Sequence, residues 1–229
     1  MRPIVLAFLV LNTAVFGLWL VLGESPIMVE NFLVSWDGLM AGRYWTLLTS
    51  EFSHLLFLHF FLNMYVLASF GPIVEHTIGS TRFLMFYVLA AIVASVSHAA
   101  VSAFLLNKPE LPALGASGAI SGVILLFSFL YPRARLLLFG FIPMPALVGA
   151  FAFVGLDVAG LIWQVEGGGL PIGHGAHLGG AITGILYYLL VIRPLELRQA
   201  ARVDFGDVAT WRRLIARQDK TPDDQTYKR

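Results

Sequence analysis

The chain has 229 residues, of which 58% are hydrophobic and 13% are charged, and its formal net charge is +1. A soluble domain of this length needs a far more highly charged surface, so the composition indicates an integral membrane protein. The absence of cysteine excludes disulfide scaffolds, thiolate metal sites and cysteine nucleophiles, and it leaves the redox compartment undetermined.

A bilayer core about 30 Å thick requires roughly 20 apolar residues per helix. Six such spans are predicted, separated by breaks that carry charge, proline or glycine. They cover about 4–23, 55–74, 82–106, 116–131, 145–163 and 174–192. The sequence therefore predicts an all-α membrane protein, with a six-transmembrane-helix domain over 1–192 and a charged cytoplasmic C-terminal tail over 193–229.

Three segments allow two interpretations each. The run after Met1-Arg2 could be a secretory signal peptide, but its length and the lack of an A-x-A site near Gly23 favour a retained span. The run Leu136–Phe141 could begin the fifth helix or form an interfacial segment, and the prolines that follow favour a fresh helix start near 145. The tail could form an amphipathic surface helix through Trp211, Leu214 and Ile215, or stay partly disordered.

The distribution of lysine and arginine predicts the orientation. With the N-terminus in the cytoplasm, thirteen of the 15 basic residues lie on the inside, and only Arg43 and Lys108 lie outside. We therefore expect a multi-pass membrane protein with both termini cytoplasmic. The absence of a targeting signal predicts a prokaryotic cytoplasmic (inner) membrane.

The fourth span opens with Gly115-Ala116-Ser117-Gly118, and the sixth opens with the segment Gly175–Gly180, which contains His177. Polar groups in a bilayer are costly, so a serine and a histidine at matched depth indicate a site. A serine beside a histidine can act as a nucleophile with its general base. Glycine pairs at Gly118/Gly122 and Gly180/Gly184 would let the two helices approach closely. Taken singly, each motif favours simple helix packing; together, with His177 in the glycine cluster, they favour a site.

The fourth span is short, and this length sets the expected depth of Ser117. About 15 residues separate Ser117 from the end of the span, which gives a helix of roughly 22 Å. Ser117 should therefore lie below the outer surface, in a pocket that holds water. The unpaired N–H groups of a helix start would suit a developing oxyanion there.

In the second span His59 and Asn63 share one helical face near the same end, either as hydrogen-bond donors to a site or as interhelical partners. With these two, the chain carries H-x-x-x-N, G-x-S-G and A-H-x-x-G-x-x-x-G in order. Over about 38–190 it resembles the rhomboid family of intramembrane serine proteases.

The resemblance implies a six-helix rhomboid-like bundle and a dyad without an obligatory acid. Ser117 would be the nucleophile and His177 the general base, while His59, Asn63 and Gly115 would belong to the oxyanion and substrate-binding part of the site. The implied reaction is hydrolysis of single-span membrane proteins near the outer membrane face, through an acyl-enzyme. It implies no cofactor, no metal and no nucleic acid, with transmembrane substrates and the lipid bilayer as partners and the oligomeric state left open.

Two rival functions remain: a catalytically inactive rhomboid-like protein that binds membrane clients, and a channel for small polar solutes. Two departures from the family pattern bear on the first. Thr46 follows Trp45 where many relatives carry arginine, and Ser121 stands where an aromatic residue often contacts the catalytic histidine.

Other polar residues leave alternatives open. Asp157, near the outer end of the fifth span, could orient an imidazole, but the sequence favours a residue that is protonated or hydrogen-bonded locally and lines the polar cavity. His174 and His177, three residues apart, permit a metal site, but the chain has no H-E-x-x-H motif and no carboxylate at ligand spacing, so such a site is disfavoured. His54 is expected to close the first loop onto the second helix, and His98 to be a core residue.

Overall fold

The computed structural model describes residues 2–138 and 142–198. The chain divides into a compact unit, Met1–Tyr188, and a second unit, Leu189–Arg229. Of the second unit, residues 189–198 are described, and they are helical. The predicted surface helix around Trp211 lies outside the described residues, and the predicted domain boundary at 192 stays a prediction.

Within the described residues the fold is built from nine α-helices and one pair of antiparallel strands. The helices are α1 (Pro3–Leu22), α2 (Pro26–Phe32), α3 (Trp36–Met40), α4 (Thr46–Thr49), α5 (Phe57–Ile78), α6 (Ser80–Phe104), α7 (Ser117–Leu130), α8 (Ala146–Val165) and α9 (His174–Tyr187). The strands are β1 (Arg135–Leu138) and β2 (Ile142–Pro145). A 3₁₀ turn, Ser50–Phe52, follows α4, and a π-helical turn, Tyr188–Ile192, follows α9.

Five helices are long and apolar enough to cross a membrane, and α7 is a shorter apolar helix. The five spans are Pro3–Leu22, Phe57–Ile78, Ser80–Phe104, Ala146–Val165 and His174–Arg198. Together with α7 they correspond to the six predicted spans, so the prediction of an all-α, six-helix membrane bundle is confirmed.

One predicted break lies elsewhere, because its charged residue faces the interior. The sequence ends the second span at 74, with a break at Glu75, whereas α5 continues to Ile78 and is stopped by Gly79, whose φ is +87°. Glu75 is 1% exposed and accepts hydrogen bonds from the backbone N–H groups of Ile4 and Val5, at 3.2 and 2.9 Å. The carboxylate thus satisfies N–H groups in the first turn of α1 that have no partner within that helix.

The first loop, residues 23–56, is folded onto the segment that precedes α7. Val34 and Ala113 exchange backbone hydrogen bonds of 3.0 and 2.8 Å. Further along, the N–H of Gly115 donates to the carbonyl of Ser50 at 2.8 Å. The helices and turns of this loop therefore fix the backbone just before Ser117.

Residues 136–138, the described part of the run at 136–141, belong to a strand pair that the sequence did not predict. β1 and β2 are antiparallel, with Arg135 opposite Pro145. The prediction of a fresh helix start near 145 agrees with α8, which begins at Ala146. A short apolar run does not by itself distinguish a strand from a helix start, because pairing between two runs decides the outcome.

The closest packing in the described chain joins α7 to α9 through glycines. A Cβ atom at Gly180 would overlap the carbonyl oxygen of Gly118, and one at Gly184 would overlap the carbonyl oxygen of Gly122. A Cβ atom at Gly122 would in turn lie 2.8 Å from the carbonyl oxygen of Gly180. The two backbones are therefore in direct contact, as small residues in membrane helices allow.

Replacing Gly180 by alanine should push α7 and α9 apart, since a backbone carbonyl cannot yield as a flexible side chain can. We expect Gly180→Ala to lower the free energy of unfolding by about 1–3 kcal/mol or more, as overpacking does. Unfolding in mixed detergent measures this change. Gly17→Ala is the matched control, because a Cβ atom there meets nothing within 4 Å; an equal loss in both variants would contradict the packing argument.

Candidate active site

Ser117 is the first residue of α7, and the backbone before it is tightly constrained. Gly115 has a φ of +112°, which favours glycine, and a Cβ atom there would lie 2.6 Å from Cε1 of the His59 ring. Ala116, the N-cap residue, has no side chain that can cap the helix. The direction of the Ser117 side chain is therefore set by the first loop and by His59.

His177 lies in the first turn of α9 and meets Ser117 directly. Its Nε2 atom is 2.8 Å from Oγ of Ser117. The imidazole is 13% exposed and Ser117 is also partly exposed, whereas the flanking Gly118 and Gly179 are buried. A serine O–H that donates to an unprotonated imidazole nitrogen is the arrangement that general-base activation of a nucleophile requires.

Backbone donors remain available beside this pair. Within the described chain, no carbonyl or side chain accepts the N–H groups of Ser117 and Gly118, while the N–H of Ile120 donates to Ala116 at 2.9 Å. Free N–H groups at a helix N-terminus can stabilise negative charge on an oxygen close to Ser117.

The other two predicted polar residues lie on α5, one turn apart. The ring of His59 packs against Gly115, two residues before Ser117. Nδ2 of Asn63 donates to the carbonyl oxygen of His59 at 2.9 Å, so this amide is used within its own helix. The structure thus brings Ser117, His177, His59 and Gly115 together. Asn63 lies one turn further along α5, with its amide bonded to the carbonyl of His59.

Asp157, which the sequence left open, is a direct neighbour of the pair. Its Oδ1 atom lies 2.9 Å from Nδ1 of His177 and 2.6 Å from Nδ1 of His174. Asp157 and His174 are both buried. The carboxylate therefore accepts from two imidazoles at once and reaches His177 on the side opposite Ser117.

The residue at the family's aromatic position does not contact the imidazole. Ser121 is buried, and its hydroxyl donates to the carbonyl of Ser117 at 2.7 Å. The aromatic neighbour of His177 is instead Phe153 of α8, with ring centroids 5.7 Å apart. The sequence analysis did not identify Phe153. This residue lies four positions before Asp157, on the same face of α8, and that spacing was the signal that could have found it. At the other departure, Thr46 is buried and donates to the carbonyl of Arg43 at 2.6 Å.

A metal-binding interpretation of Asp157, His174 and His177 fits these distances poorly. The three ligand atoms lie within 4.8 Å of one another. Around a tetrahedral zinc ion, ligand atoms about 2.0–2.1 Å from the metal stand roughly 3.3 Å apart. Separations of 2.6 and 2.9 Å between Oδ1 and the two ring nitrogens are those of hydrogen bonds.

The first loop contributes two buried titratable groups, His54 and Glu51. The ring of His54 packs edge-on against those of His59 and Phe60, with centroids 5.0 and 5.6 Å away. Burial, with a smaller contribution from His59, lowers the pKa of His54 to about 3. His54 is therefore neutral at physiological pH and closes the loop onto α5 as an uncharged ring.

His98 lies in α6, outside this loop, and its Nε2 atom is 3.1 Å from the hydroxyl of Ser102.

Glu51 is buried against the first turn of α7. Its Oε1 atom lies 3.5 Å from the position a Cβ atom would take at Gly118, and Oε2 has no partner among the described residues. Burial raises the pKa of Glu51 well above its usual value of 4.5, and the backbone N–H of Ala119 partly offsets this shift. Burial therefore favours the protonated form of Glu51, whose carboxyl group lies against the first turn of the helix that begins with the candidate nucleophile.

This protein is a multi-helix membrane protein with a serine–histidine pair at the start of a short helix. These features make it a candidate intramembrane hydrolase. Residues 41–194 match the Rhomboid domain family. The chain is 36% identical over 197 residues to RHOMBOID-like protein 12, mitochondrial, of Arabidopsis thaliana, covering 81% of this chain and 57% of that protein. It is 34% identical over 213 residues to Rhomboid protein 1, mitochondrial, of Saccharomyces cerevisiae, covering 88% and 57%.

A human protein, Presenilin-associated rhomboid-like protein, mitochondrial, is 32% identical over 182 residues, which cover 77% of this chain and 45% of that protein. This chain belongs to the rhomboid family. The family consists in general of intramembrane serine proteases. The chain spans about half the length of the curated relatives it matches.

The relatives contradict the predicted location. All three are eukaryotic proteins named as mitochondrial, so the prediction of a prokaryotic cytoplasmic membrane with cytoplasmic termini is wrong. Counting basic residues compares the two sides of a membrane, and it carries no information on which membrane that is. The multi-pass character is supported by the membrane-spanning helices, and the lipid bilayer is the environment of this fold.

Gly115→Ala should strain the backbone and push against His59. Gly42 has a similar φ of +88°, but a Cβ atom there meets nothing within 4 Å. Gly42→Ala therefore carries the backbone strain alone, about 1–3 kcal/mol. We expect Gly115→Ala to lower the unfolding temperature further than Gly42→Ala. The excess should shrink when His59→Ala is added; an unchanged excess would contradict the steric argument.

The raised pKa of Glu51 gives its contribution to stability a defined sign. The folded state keeps the proton at pH values where the unfolded carboxyl group, with a pKa near 4.5, has lost it. This contribution therefore falls as pH rises above that value, by up to about 1.4 kcal/mol per pH unit. Glu51→Gln should remove this dependence and make the protein relatively more stable at higher pH. Chemical unfolding between about pH 5 and about pH 8 tests it, with the exposed Glu166→Gln as control; parallel curves for wild type and Glu51→Gln would contradict it.

Proposed function

We propose that this chain is an intramembrane serine endopeptidase that hydrolyses peptide bonds of single-span membrane proteins. The observation that carries the proposal is the 2.8 Å contact between Oγ of Ser117 and Nε2 of His177. Membership of a family of intramembrane serine proteases supports the same reaction. So does the partial exposure of both side chains, because a substrate must reach them.

In the proposed reaction the O–H of Ser117 donates to Nε2 of His177, and Oγ attacks the scissile carbonyl carbon. His177 takes the serine proton and then delivers it to the leaving amine as the C–N bond breaks. The resulting acyl-enzyme is hydrolysed by a water molecule, whose proton passes through His177 back to Ser117. The proposed reaction returns Ser117 and His177 to their starting protonation states and requires neither a cofactor nor a metal.

The oxyanion of the tetrahedral intermediate forms beside the first turn of α7. The free N–H of Ser117 is the main proposed donor, with the ring of His59 next to it against Gly115. Asn63 contributes by turning its amide away from the carbonyl of His59, which it contacts at 2.9 Å in the resting arrangement. Loss of one such donor reduces the rate by about 10²–10³-fold.

The proposed cleavage site lies near the membrane face closest to the N-terminal end of α7. This helix has 14 residues and is about 21 Å long, shorter than the five membrane spans of 20–25 residues. A substrate helix would enter laterally beside α8, of whose residues only Ala146, Ala150 and Asp157 are buried. A helix with so little buried surface costs less to displace than α7 or α9.

A serine-directed probe and a transmembrane substrate together test the proposal. Wild type, reconstituted in liposomes, should react with a fluorophosphonate and cleave a single-span reporter protein. Ser117→Ala and His177→Ala should lose both activities, by about 10³-fold or more. The matched control is Ser128→Ala, a buried serine of the same helix that bonds only to the carbonyl of Ile124 and should behave as wild type.

The opposite outcome would identify the inactive alternative. A folded wild type that binds the reporter but neither cleaves it nor reacts with the probe would be a client-binding protein rather than a protease. Equal reaction of wild type and Ser117→Ala would likewise refute the assignment of the nucleophile.

A further inference from the structure

The turn Ser50–Phe52 holds the backbone on both sides of Ser117. The carbonyl oxygen of Ser50 accepts from the N–H of Gly115 at 2.8 Å, two residues before the candidate nucleophile. The carboxyl group of Glu51 accepts a hydrogen bond from the N–H of Ala119, two residues after it. Two consecutive residues of the first loop therefore contact backbone groups that flank Ser117.

This turn is itself anchored to the helix bundle. The hydroxyl of Ser50 lies 3.4 Å from that of Ser95 in α6. The ring of Phe52 packs against Phe8 of α1, with ring centroids 6.1 Å apart. Glu51, between these two anchored residues, is 3% exposed, so its carboxyl group lies inside the protein and against α7.

The start of α7 needs an acceptor from another segment, because its own N-cap residue cannot provide one. The first N–H groups of a helix have no partner within it, and an N-cap side-chain oxygen commonly accepts from the second or third of them. The N-cap residue here is Ala116, whose methyl group accepts nothing, and Ala119 is the third residue of α7. Glu51 therefore takes the role of the missing N-cap side chain.

This capping contact leaves the N–H groups nearest the nucleophile free. Ser117 and Gly118 are the first two residues of α7, and their N–H groups have no acceptor in the described chain. The N–H of Ser117 is the main proposed donor to the oxyanion. Gly118 also leaves room for the cap, since Oε1 of Glu51 lies 3.5 Å from the position that a Cβ atom would take there.

The charge of Glu51 matters, because the oxyanion forms beside the same helical turn. A carboxylate at this position would repel the negative charge that develops on the substrate oxygen. A neutral carboxyl group accepts from Ala119 through its carbonyl oxygen without that repulsion, and its proton then resides on Oε2, which has no partner among the described residues. The methyl groups of Ala94 and Ala176 border the same space at Gly118, and such apolar surroundings favour the neutral form.

Resting on the proposed function, we propose that Glu51 is a positioning residue that caps α7 as a neutral carboxyl group and keeps the N–H groups of Ser117 and Gly118 in place for the oxyanion. Because Glu51 is buried, it acts through the backbone of α7 and does not touch the substrate. The first loop thereby controls the geometry of a nucleophile that belongs to a membrane helix.

Kinetics of the reconstituted full chain test the inference. Glu51→Leu removes the acceptor, and kcat for the single-span reporter should fall by about 10–100-fold, because small displacements of reacting groups are costly. KM should change little, since Glu51 is buried. Glu51→Gln, which keeps a neutral acceptor of the same length, should recover most of the loss. Glu30→Leu, at an exposed acid of the same loop, is the matched control and should behave as wild type.

A spectroscopic measurement determines the charge of Glu51 without any assay of activity. The infrared spectrum of the folded wild type at neutral pH should contain the carbonyl-stretching band of a protonated carboxylic acid that the spectrum of Glu51→Gln lacks. Identical spectra in this region would mean that Glu51 is ionised and would overturn the inference. The measurement remains decisive even if Glu51→Leu does not fold.

The possible outcomes separate this inference from the proposed function. A wild type that neither cleaves nor reacts with the probe refutes the protease. An active wild type together with an equally active, folded Glu51→Leu variant refutes only the positioning role. That role is also refuted if Glu51→Gln is as impaired as Glu51→Leu, because the ionised form would then be required. A rise in KM with unchanged kcat refutes it as well, because Glu51 would then act on substrate binding.

Discussion

The site depends on one contact, the direct approach of the α7 and α9 backbones at Gly118 and Gly180. No side chain separates the helices there, so the distance between them is set by backbone atoms alone. Ser117 precedes Gly118 by one residue, and His177 precedes Gly180 by three. The 2.8 Å contact between their side chains is therefore a direct consequence of the glycine packing. In a bilayer, where hydrophobic burial does not drive helix association, such packing is a main source of affinity between helices.

Three buried carboxyl groups in this bundle have three different sets of partners. Glu75 accepts from the first turn of α1, Glu51 lies against the first turn of α7 with its pKa raised by burial, and Asp157 lies within hydrogen-bonding distance of two imidazoles. Each one is paired with N–H groups that would otherwise lack partners in an apolar environment. Polar residues in these positions are therefore part of the architecture as well as of the chemistry.

The helix that supports His177 is also the least buried of the long helices. Asp157 and Phe153 belong to α8, whereas Ser117 begins α7, whose backbone contacts that of α9. Under the proposed function, an entering substrate that displaced α8 would change the contacts that Asp157 and Phe153 make with His177. Substrate entry and the orientation of His177 would then be connected through α8.

The sequence alone determined the six spans, because length and hydropathy are local properties, and it identified Ser117 and His177 because glycine motifs mark where two helices can meet. It could not assign Asp157 a partner, nor find Phe153, since both contacts depend on the rotation of α8 about its axis. It also missed the pairing of β1 with β2, because a short apolar run is compatible with helix or strand until its pairing partner is known. Tertiary packing decided these features, because the partners of a polar side chain are set by which helix faces it and at what depth.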